Sequence, residues 1–217
     1  MSTVDFSQLL PPSLITELSY EAIFTKRKES FISLYDASEQ QAVRELLQRE
    51  SEPVVKLLQE NAYLEMLYQA KCNADARSLL LAYAEKSDLD HLALTEYGLT
   101  RLVVTPADNT VIPPVEAVYE SDERLRERCI LSFDGMNTAG SANAYRYFTL
   151  SADGRVDGIK VKSDEATPCF LDIVITQVDS ENGAASEELI QIVQAALDPD
   201  TVRPVGDRPT VKSSIAT

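Results

Sequence analysis

The residues best suited to redox or imidazole chemistry are few and scattered. Cys72, Cys129 and Cys169 lie far apart in the 217-residue chain, and His91 is its only histidine. No Cys-x-x-Cys pair exists, and one imidazole cannot complete a Cys/His zinc site. Idle thiols in a reducing compartment are the simplest interpretation of the cysteines. A lone histidine also leaves little room for acid–base catalysis by imidazole.

The carboxylates and one glycine-rich segment are the other residues that could bind a metal, bind phosphate or catalyse a reaction. Asp88 and Asp90 could ligate a metal together with His91, but helix capping and solvent exposure explain them more simply. The segment from Gly135 to Ser141 lacks the Lys of a phosphate-binding loop and does not follow a strand. Paired catalytic carboxylates need fixed geometry in a cleft, whereas most acids here fall at caps, turns or polar helix faces. We therefore expect no metal, no cofactor and no catalytic residue.

The charge balance narrows the range of partners. Acidic residues outnumber basic ones 35 to 20, which gives a formal net charge of -15. Such a surface repels phosphate, so nucleic acid and anionic membranes are poor partners. The mean hydropathy of -0.15 is ordinary for a globular protein, and no apolar run approaches the roughly 18 residues of a membrane span. The first ten residues carry no Lys or Arg, so they are not a secretory signal and we expect synthesis in the cytoplasm.

The N-terminal half predicts an extended arm over residues 1–18 and a helical bundle domain over 19–105. Ser19 is a suitable N-cap for the first helix. From Pro53 to about Lys86 there is no Gly and no further Pro, and apolar residues recur every four positions. About 34 residues at 1.5 Å each would form a rod of roughly 50 Å. A rod of this length predicts contacts with other chains, although a bundle within one chain stays open as an alternative.

The next segment predicts a short helix and then a linker. Asp88 is the expected N-cap of this helix, and Gly98 is expected to end it. Residues 106–120 contain Pro113-Pro114 and little regular pattern, which makes them the best candidate for a domain boundary.

Residues 121–217 predict a small α+β domain with the order helix, helix, strand, strand, helix, strand. Ser121 and Ser186 are suitable N-caps, each followed by two acidic residues that favour a helix N-terminus. The last expected strand, Val211 to Ile215, lies at the end of the chain, as if a sheet were unfinished. The predicted fold class is α+β, with an N-terminal helical bundle that contains one long helix.

Six strings in this order resemble the baseplate assembly protein J family of contractile-tailed temperate phages. They are ESEPVVKLLQENAY at 50–63, DLDHLALTEYGLTRL at 88–102, TPADNTVIPP at 105–114, ESDERLRER at 120–128, AGSANAYRY at 139–147 and SADGRV at 151–156. The resemblance covers nearly the whole chain, including the opening DFSQLLPP and the closing DTVRPVGDRPTV. Members of the family commonly continue into a further C-terminal α/β segment. The resemblance therefore implies that this chain lacks that segment, because the piece was cut, the gene is truncated or the homologue is short.

The resemblance implies a structural role in the wedge of a tail baseplate, within the virion and made in the host bacterial cytoplasm. Proteins similar to this one pair with the I-type and W-type baseplate proteins and with further copies of themselves. They build a ring around the hub, and rearrangement of the plate releases sheath contraction. Alternatives are a tail-associated, carboxylate-dependent glycan hydrolase and a prophage remnant that no longer assembles. The candidate contacts with partners are six residues of the long helix: Leu57, Leu58, Tyr63, Met66, Leu67 and Tyr68.

Overall fold

The computed structural model describes residues 17–136, 140–164, 166–180 and 182–214. The helices in this part of the chain are α1 (Tyr20–Ile32), α2 (Gln40–Leu46), α3 (Pro53–Ser78), α4 (Lys86–Tyr97), α5 (Asp122–Leu131), α6 (Ala142–Ala152) and α7 (Glu187–Leu197). The strands are β1 (Val103–Thr105), β2 (Val118–Tyr119), β3 (Val156–Asp164), β4 (Thr167–Gln177) and β5 (Arg208–Ser213). The α+β class is confirmed. Of the predicted arm, residues 1–16 lie outside the described residues.

The described residues form two compact units that divide between Tyr83 and Ala84. The first unit is helical. Its first helix begins after Ser19, whose side chain accepts a hydrogen bond from the Ala22 N–H, as the sequence predicts. α1 packs against α3, and Arg27 forms a 2.6 Å ion pair with Glu65 between the two helices. The core consists of Ile32, Leu47, Val55 and Leu58, with Phe24, Phe31, Val43 and Val54 packed at its edge.

Helix α3 is shorter than the sequence predicts. Pro53 occupies its first turn, where the missing N–H removes no hydrogen bond. The expected end near Lys86 is wrong, because the helix ends at Ser78 after 26 residues. The N–H groups of Leu80 and Tyr83 donate to carbonyls three residues back, so the chain tightens into turns before α4. At 1.5 Å per residue the helix is about 39 Å long.

The second unit begins with α4, which starts earlier than predicted. Its N-cap is Glu85, so the prediction of Asp88 as the cap is wrong. Its end is confirmed at Gly98, which adopts the left-handed conformation with φ 66° that suits glycine. Part of the predicted linker is regular: β2 pairs antiparallel with β1, and Asp108 forms an isolated bridge with Val115.

The order helix, helix, strand, strand, helix, strand over residues 121–217 is confirmed. Ser121 and Ser186 cap α5 and α7 through side-chain oxygens that accept backbone N–H groups, as expected. The sheet has the order β3-β4-β5, antiparallel and then parallel. β5 begins at Arg208, three residues before the expected Val211, and Ile215 lies outside the described residues. The core of this unit is built by Leu131, Tyr145, Leu150, Val156, Leu171, Ile173, Ile175, Leu189, Val193, Leu197 and Val211.

Candidate partner interface

The residues that the sequence singles out for chemistry do not converge in the structure. Cys72 and Cys169 are exposed and Cys129 is buried, where burial raises its thiol pKa to about 11. A thiol with so high a pKa stays protonated near neutral pH and is a poor nucleophile. His91 is exposed. Across the described ranges, no three His, Cys, Asp or Glu side chains lie together in a group that could hold a metal ion.

Helix α3 has two apolar faces, and only one of them is covered. The covered face carries Val55, Leu58 and Ala62, spaced by three and four residues and buried in the helical unit. This spacing places the side chains on one stripe of an α-helix, where they meet α1 and the segment after α2. The covered face therefore contributes to the core of the helical unit.

The second apolar face is exposed to solvent. Leu57, Leu64 and Tyr68 are spaced by seven and four residues, so they lie on one stripe of the helix, with Leu67 beside them. Their side chains are 57%, 54%, 68% and 45% exposed, in the order Leu57, Leu64, Tyr68 and Leu67. Tyr63 flanks the stripe and is 51% exposed. A continuous exposed apolar stripe on an amphipathic helix is typical of a surface that binds another protein.

The structure divides the six predicted contact residues. Leu57, Tyr63, Leu67 and Tyr68 are exposed and available to a partner. Met66 is half-buried, and Leu58 is only 8% exposed inside the core. Leu58 is therefore inaccessible to a partner in this structure. The sequence could not show this, because fourfold periodicity does not indicate which flank of a wide apolar stripe is covered.

Leu64 belongs to the exposed stripe, although it is absent from the six predicted contacts. Its signal in the sequence is its spacing of seven residues from Leu57 and four from Tyr68. That spacing places it between them on the same face. The four exposed predicted residues and Leu64 together are called the α3 outer face below.

Charged residues border the α3 outer face. Lys71 and Asp75 form an exposed ion pair of 2.8 Å along the helix. The hydrogen bond from Lys71 to Asp75 and the charge of Asp75 raise the pKa of Lys71. Lys56, which directly precedes Leu57, and Glu60, which lies one turn from both Leu57 and Leu64, are exposed. Both signs of charge are therefore present along the stripe.

The α/β unit contains a buried charge cluster centred on Glu120. The side chain of Glu120 is fully buried, accepts the Leu102 N–H at 3.0 Å and pairs with the Arg128 guanidinium. Arg128 also donates to the Thr100 carbonyl at 3.1 Å and to the Ser151 hydroxyl at 3.2 Å. Such pairing is what permits buried charges to persist.

Arg124 completes this cluster. Its Nε lies 3.3 Å from Oε2 of Glu120, and its Nη atoms donate to the carbonyls of Leu150, Asp153 and Gly154 at 3.1, 2.8 and 2.6 Å. Burial lowers the pKa of Arg124, and the nearby Glu120 opposes that shift. The Arg124 guanidinium thus binds carbonyls in the last turn of α6 and just after it, a region where a helix leaves carbonyls without intrahelical partners. Glu120 is held between two arginines, an arrangement that suits a structural role.

A second ion pair network joins α4 to α5. Arg101 donates to Asp90 at 2.7 Å, to Asp122 at 2.6 Å and to the Glu120 carbonyl at 2.7 Å. Burial raises the pKa of the Asp122 carboxyl, but the Lys86 N–H and the Arg101 guanidinium outweigh that effect and hold the pKa below its usual value. These contacts fix the segment between α4 and α5 and belong to the architecture of the unit.

Two family models match this chain and cover most of it. The model described as Baseplate J-like N-terminal domain matches residues 50–108, which include α3, α4 and β1. The model described as Baseplate J-like central domain matches residues 137–213, which run from α6 into β5. The chain belongs to the baseplate J-like protein family.

A particular relative agrees with this membership. The chain is 45% identical over 214 residues to Baseplate protein J of Escherichia phage P2. The aligned part covers 99% of this chain and 70% of the phage P2 protein. In the part of the chain that the structure describes, no helix combines the length and the apolar character needed to cross a membrane.

Proposed function

We propose that this chain is a structural subunit of the baseplate wedge of a contractile phage tail, or of a particle derived from a prophage. Membership of the baseplate J-like family supports a structural role in a phage baseplate. Assembly into the ring around the hub, and the part that this ring plays in releasing sheath contraction, are the finer elements of the proposal. The tail baseplate is then its place in the virion.

The observation that carries the proposal is the α3 outer face. A helix that buries one apolar face in its own unit and exposes another is suited to a bundle shared with neighbouring subunits. Exposed leucines and tyrosines of this kind are costly for an isolated monomer and become favourable when a partner removes them from water. The proposed partners are the I-type and W-type baseplate proteins and further copies of this chain.

The buried charge cluster supports a non-enzymatic role. Glu120, a carboxylate buried within the described residues, accepts hydrogen bonds from Arg128 and from the Leu102 N–H and lies against Arg124. The side chain of Glu120 has no exposure to solvent, so a substrate cannot reach the carboxylate in the folded unit. The proposal therefore contains no catalytic residue.

The test is co-purification of the tagged chain from cells that express the rest of a tail gene cluster, followed by mass spectrometry. We expect I-type and W-type proteins to be recovered with the native chain. Replacing Leu64 and Leu67 by Asp should reduce their recovery about tenfold or more, because charges are then placed in a contact on which assembly of the wedge depends. Leu34→Asp is the matched control, since Leu34 is 80% exposed in the same unit but lies off α3.

Two outcomes would contradict the proposal. One is a folded native chain that recovers no tail protein. The other is equal recovery by the native chain and by the variant with Asp at positions 64 and 67, which would exclude the α3 outer face as the surface used. Circular dichroism of each variant shows whether the helical unit is intact.

A further inference from the structure

The α3 outer face carries a seam with the spacing of a coiled coil. Alternating steps of three and four residues from Leu57 select a set of side chains that are all exposed. The set is Leu57, Glu60, Leu64, Leu67, Lys71 and Ala74. Positions at these steps form the contact line between two helices that pack lengthwise.

This seam is nearly the same when it is read in either direction. The midpoint lies between Glu65 and Met66. Moving outward from it toward the N-terminus the seam presents Leu, Glu and Leu, and toward the C-terminus it presents Leu, Lys and Ala, at the same steps. A second α3 helix laid antiparallel about this midpoint would place Leu64 opposite Leu67, Leu57 opposite Ala74, and Glu60 opposite Lys71.

We infer that the occupant of the α3 outer face is the same helix of a second copy of this chain, in this antiparallel register. Each apolar position then meets an apolar position, and each charge meets the opposite charge, twice over by symmetry. If the partner were a helix of a different protein, that helix would have to complement the seam, but the seam would have no reason to complement itself. The self-complementary pattern therefore favours a second copy of this chain. The inference rests on the proposed use of this face for assembly and names one partner for it.

The local charge balance favours this pairing despite the acidity of the chain. Two molecules with a net charge of -15 repel one another on average. Along the seam and directly beside it, however, Lys56 and Lys71 balance Glu60 and Asp75, and Glu65 is already paired with Arg27. Two copies can therefore approach through this face without bringing an excess of negative charge together.

The pair of Glu60 and Lys71 would set orientation and register. A polar residue within an apolar seam makes an arrangement that leaves it unpaired unfavourable. In a parallel arrangement in register, Glu60 would face Glu60 and Lys71 would face Lys71, which like-charge repulsion disfavours. In the single chain, the ammonium group of Lys71 contacts Asp75, four residues later, at 2.8 Å. On pairing, this group would turn toward Glu60 of the second copy.

Charge reversal in the full chain tests the pairing by sedimentation equilibrium. We expect a monomer–dimer equilibrium whose association constant falls about tenfold or more in Glu60→Lys and in Lys71→Glu, since each places like charges opposite one another. The double variant exchanges the two charges and should recover most of the lost affinity. Glu29→Lys and Lys26→Glu are the matched controls, as both residues are exposed on α1 and off the seam.

Disulfide trapping tests the orientation. In a chain with Cys72 and Cys169 replaced by Ser, Glu60→Cys mixed with Lys71→Cys should give the mixed disulfide and little of either homodimer. Homodimers of each variant in place of the mixed product would indicate a parallel arrangement and overturn the inference. A purified chain that stays monomeric, or a double variant that does not recover affinity, would overturn it as well.

These outcomes separate this inference from the proposed function. Recovery of baseplate proteins by a chain that stays monomeric would remove only the self-association. If the chain dimerises with the expected charge-reversal pattern but recovers no tail proteins, only the proposed baseplate role is contradicted.

Discussion

The environment of Glu120 depends on several separate parts of the chain. Its carboxylate accepts the Leu102 N–H from the segment that precedes β1 and contacts Arg124 and Arg128 of α5. Through Arg124 it is linked to the carbonyls that end α6. One buried carboxylate therefore connects three elements of the α/β unit.

Replacing Glu120 by Gln should destabilise the α/β unit by about 3 to 5 kcal/mol, the usual effect of removing one partner from a buried ion pair. Two guanidinium groups would then lie against an uncharged amide. Urea unfolding followed by circular dichroism measures the change, with Glu116→Gln as the exposed control. Equal midpoints for the two variants would show that the cluster contributes little to stability.

Asp122 makes the stability of this unit depend on pH in a defined direction. Its folded pKa lies below the ordinary value because the Lys86 N–H and Arg101 outweigh the effect of burial. The unfolded chain therefore binds the proton more readily, so the stabilisation is present above the unfolded pKa and is lost as pH falls through the folded one. Urea midpoints measured from neutral pH to below about pH 4 should fall less in Asp122→Asn than in the native chain. Asp200→Asn, at an exposed turn residue, should show the native pH dependence, and parallel curves for all three chains would contradict this role for Asp122.

At the scale of elements, α3 is the helix that distinguishes folding from assembly. Leu57 and Leu58 are neighbours in sequence, yet Leu57 is 57% exposed and Leu58 is 8% exposed in the core. Successive residues on a helix are about 100° apart, so one can pack inside while the next faces solvent.

Leu58→Ala should destabilise the helical unit by about 2 to 5 kcal/mol, because it leaves a cavity in the core. Leu57→Ala is the matched control and should change the free energy of unfolding by less than about 0.5 kcal/mol. Thermal or urea unfolding measures both. A larger loss of stability in Leu57→Ala than in Leu58→Ala would show that the assignment of the two faces is reversed.

At the scale of the whole molecule, the division between units differs from the linker that the sequence suggests. The chain passes from one compact unit to the other between Tyr83 and Ala84, whereas the predicted linker covers residues 106–120. Segment 84–105 supplies Arg101 to the ion pairs with α5, and the carbonyl of Ala84 accepts a hydrogen bond from Arg126. We therefore propose that this segment folds with the α/β unit.

A fragment of residues 84–217 should unfold in one cooperative transition, while a fragment of residues 106–217 should be much less stable. The shorter fragment lacks the Leu102 N–H and the Thr100 carbonyl that serve Glu120 and Arg128. Urea unfolding of both fragments measures the difference. Equal stability would instead support a boundary within residues 106–120.

The arginines of α5 show how far the partners of a residue can lie from it in sequence. In the sequence, Arg124, Arg126 and Arg128 follow two acidic residues, an order that suits the helix dipole. The dipole does not explain their partners, since Arg124 reaches carbonyls 26 to 30 residues away. The helix dipole thus explains the order of charges in α5, but it does not predict the hydrogen bonds of Arg124 to distant carbonyls.

The sequence by itself determined what depends on neighbours within a few residues. Ser19, Ser121, Ser186 and Gly98 mark helix ends because each satisfies backbone groups of its own helix, and the order of the last six elements follows from local periodicity. The tertiary structure decided which flank of α3 is covered, where that helix ends, and how Glu120 is neutralised. Those features depend on contacts between residues far apart in sequence, and neither capping nor periodicity records which distant groups will meet.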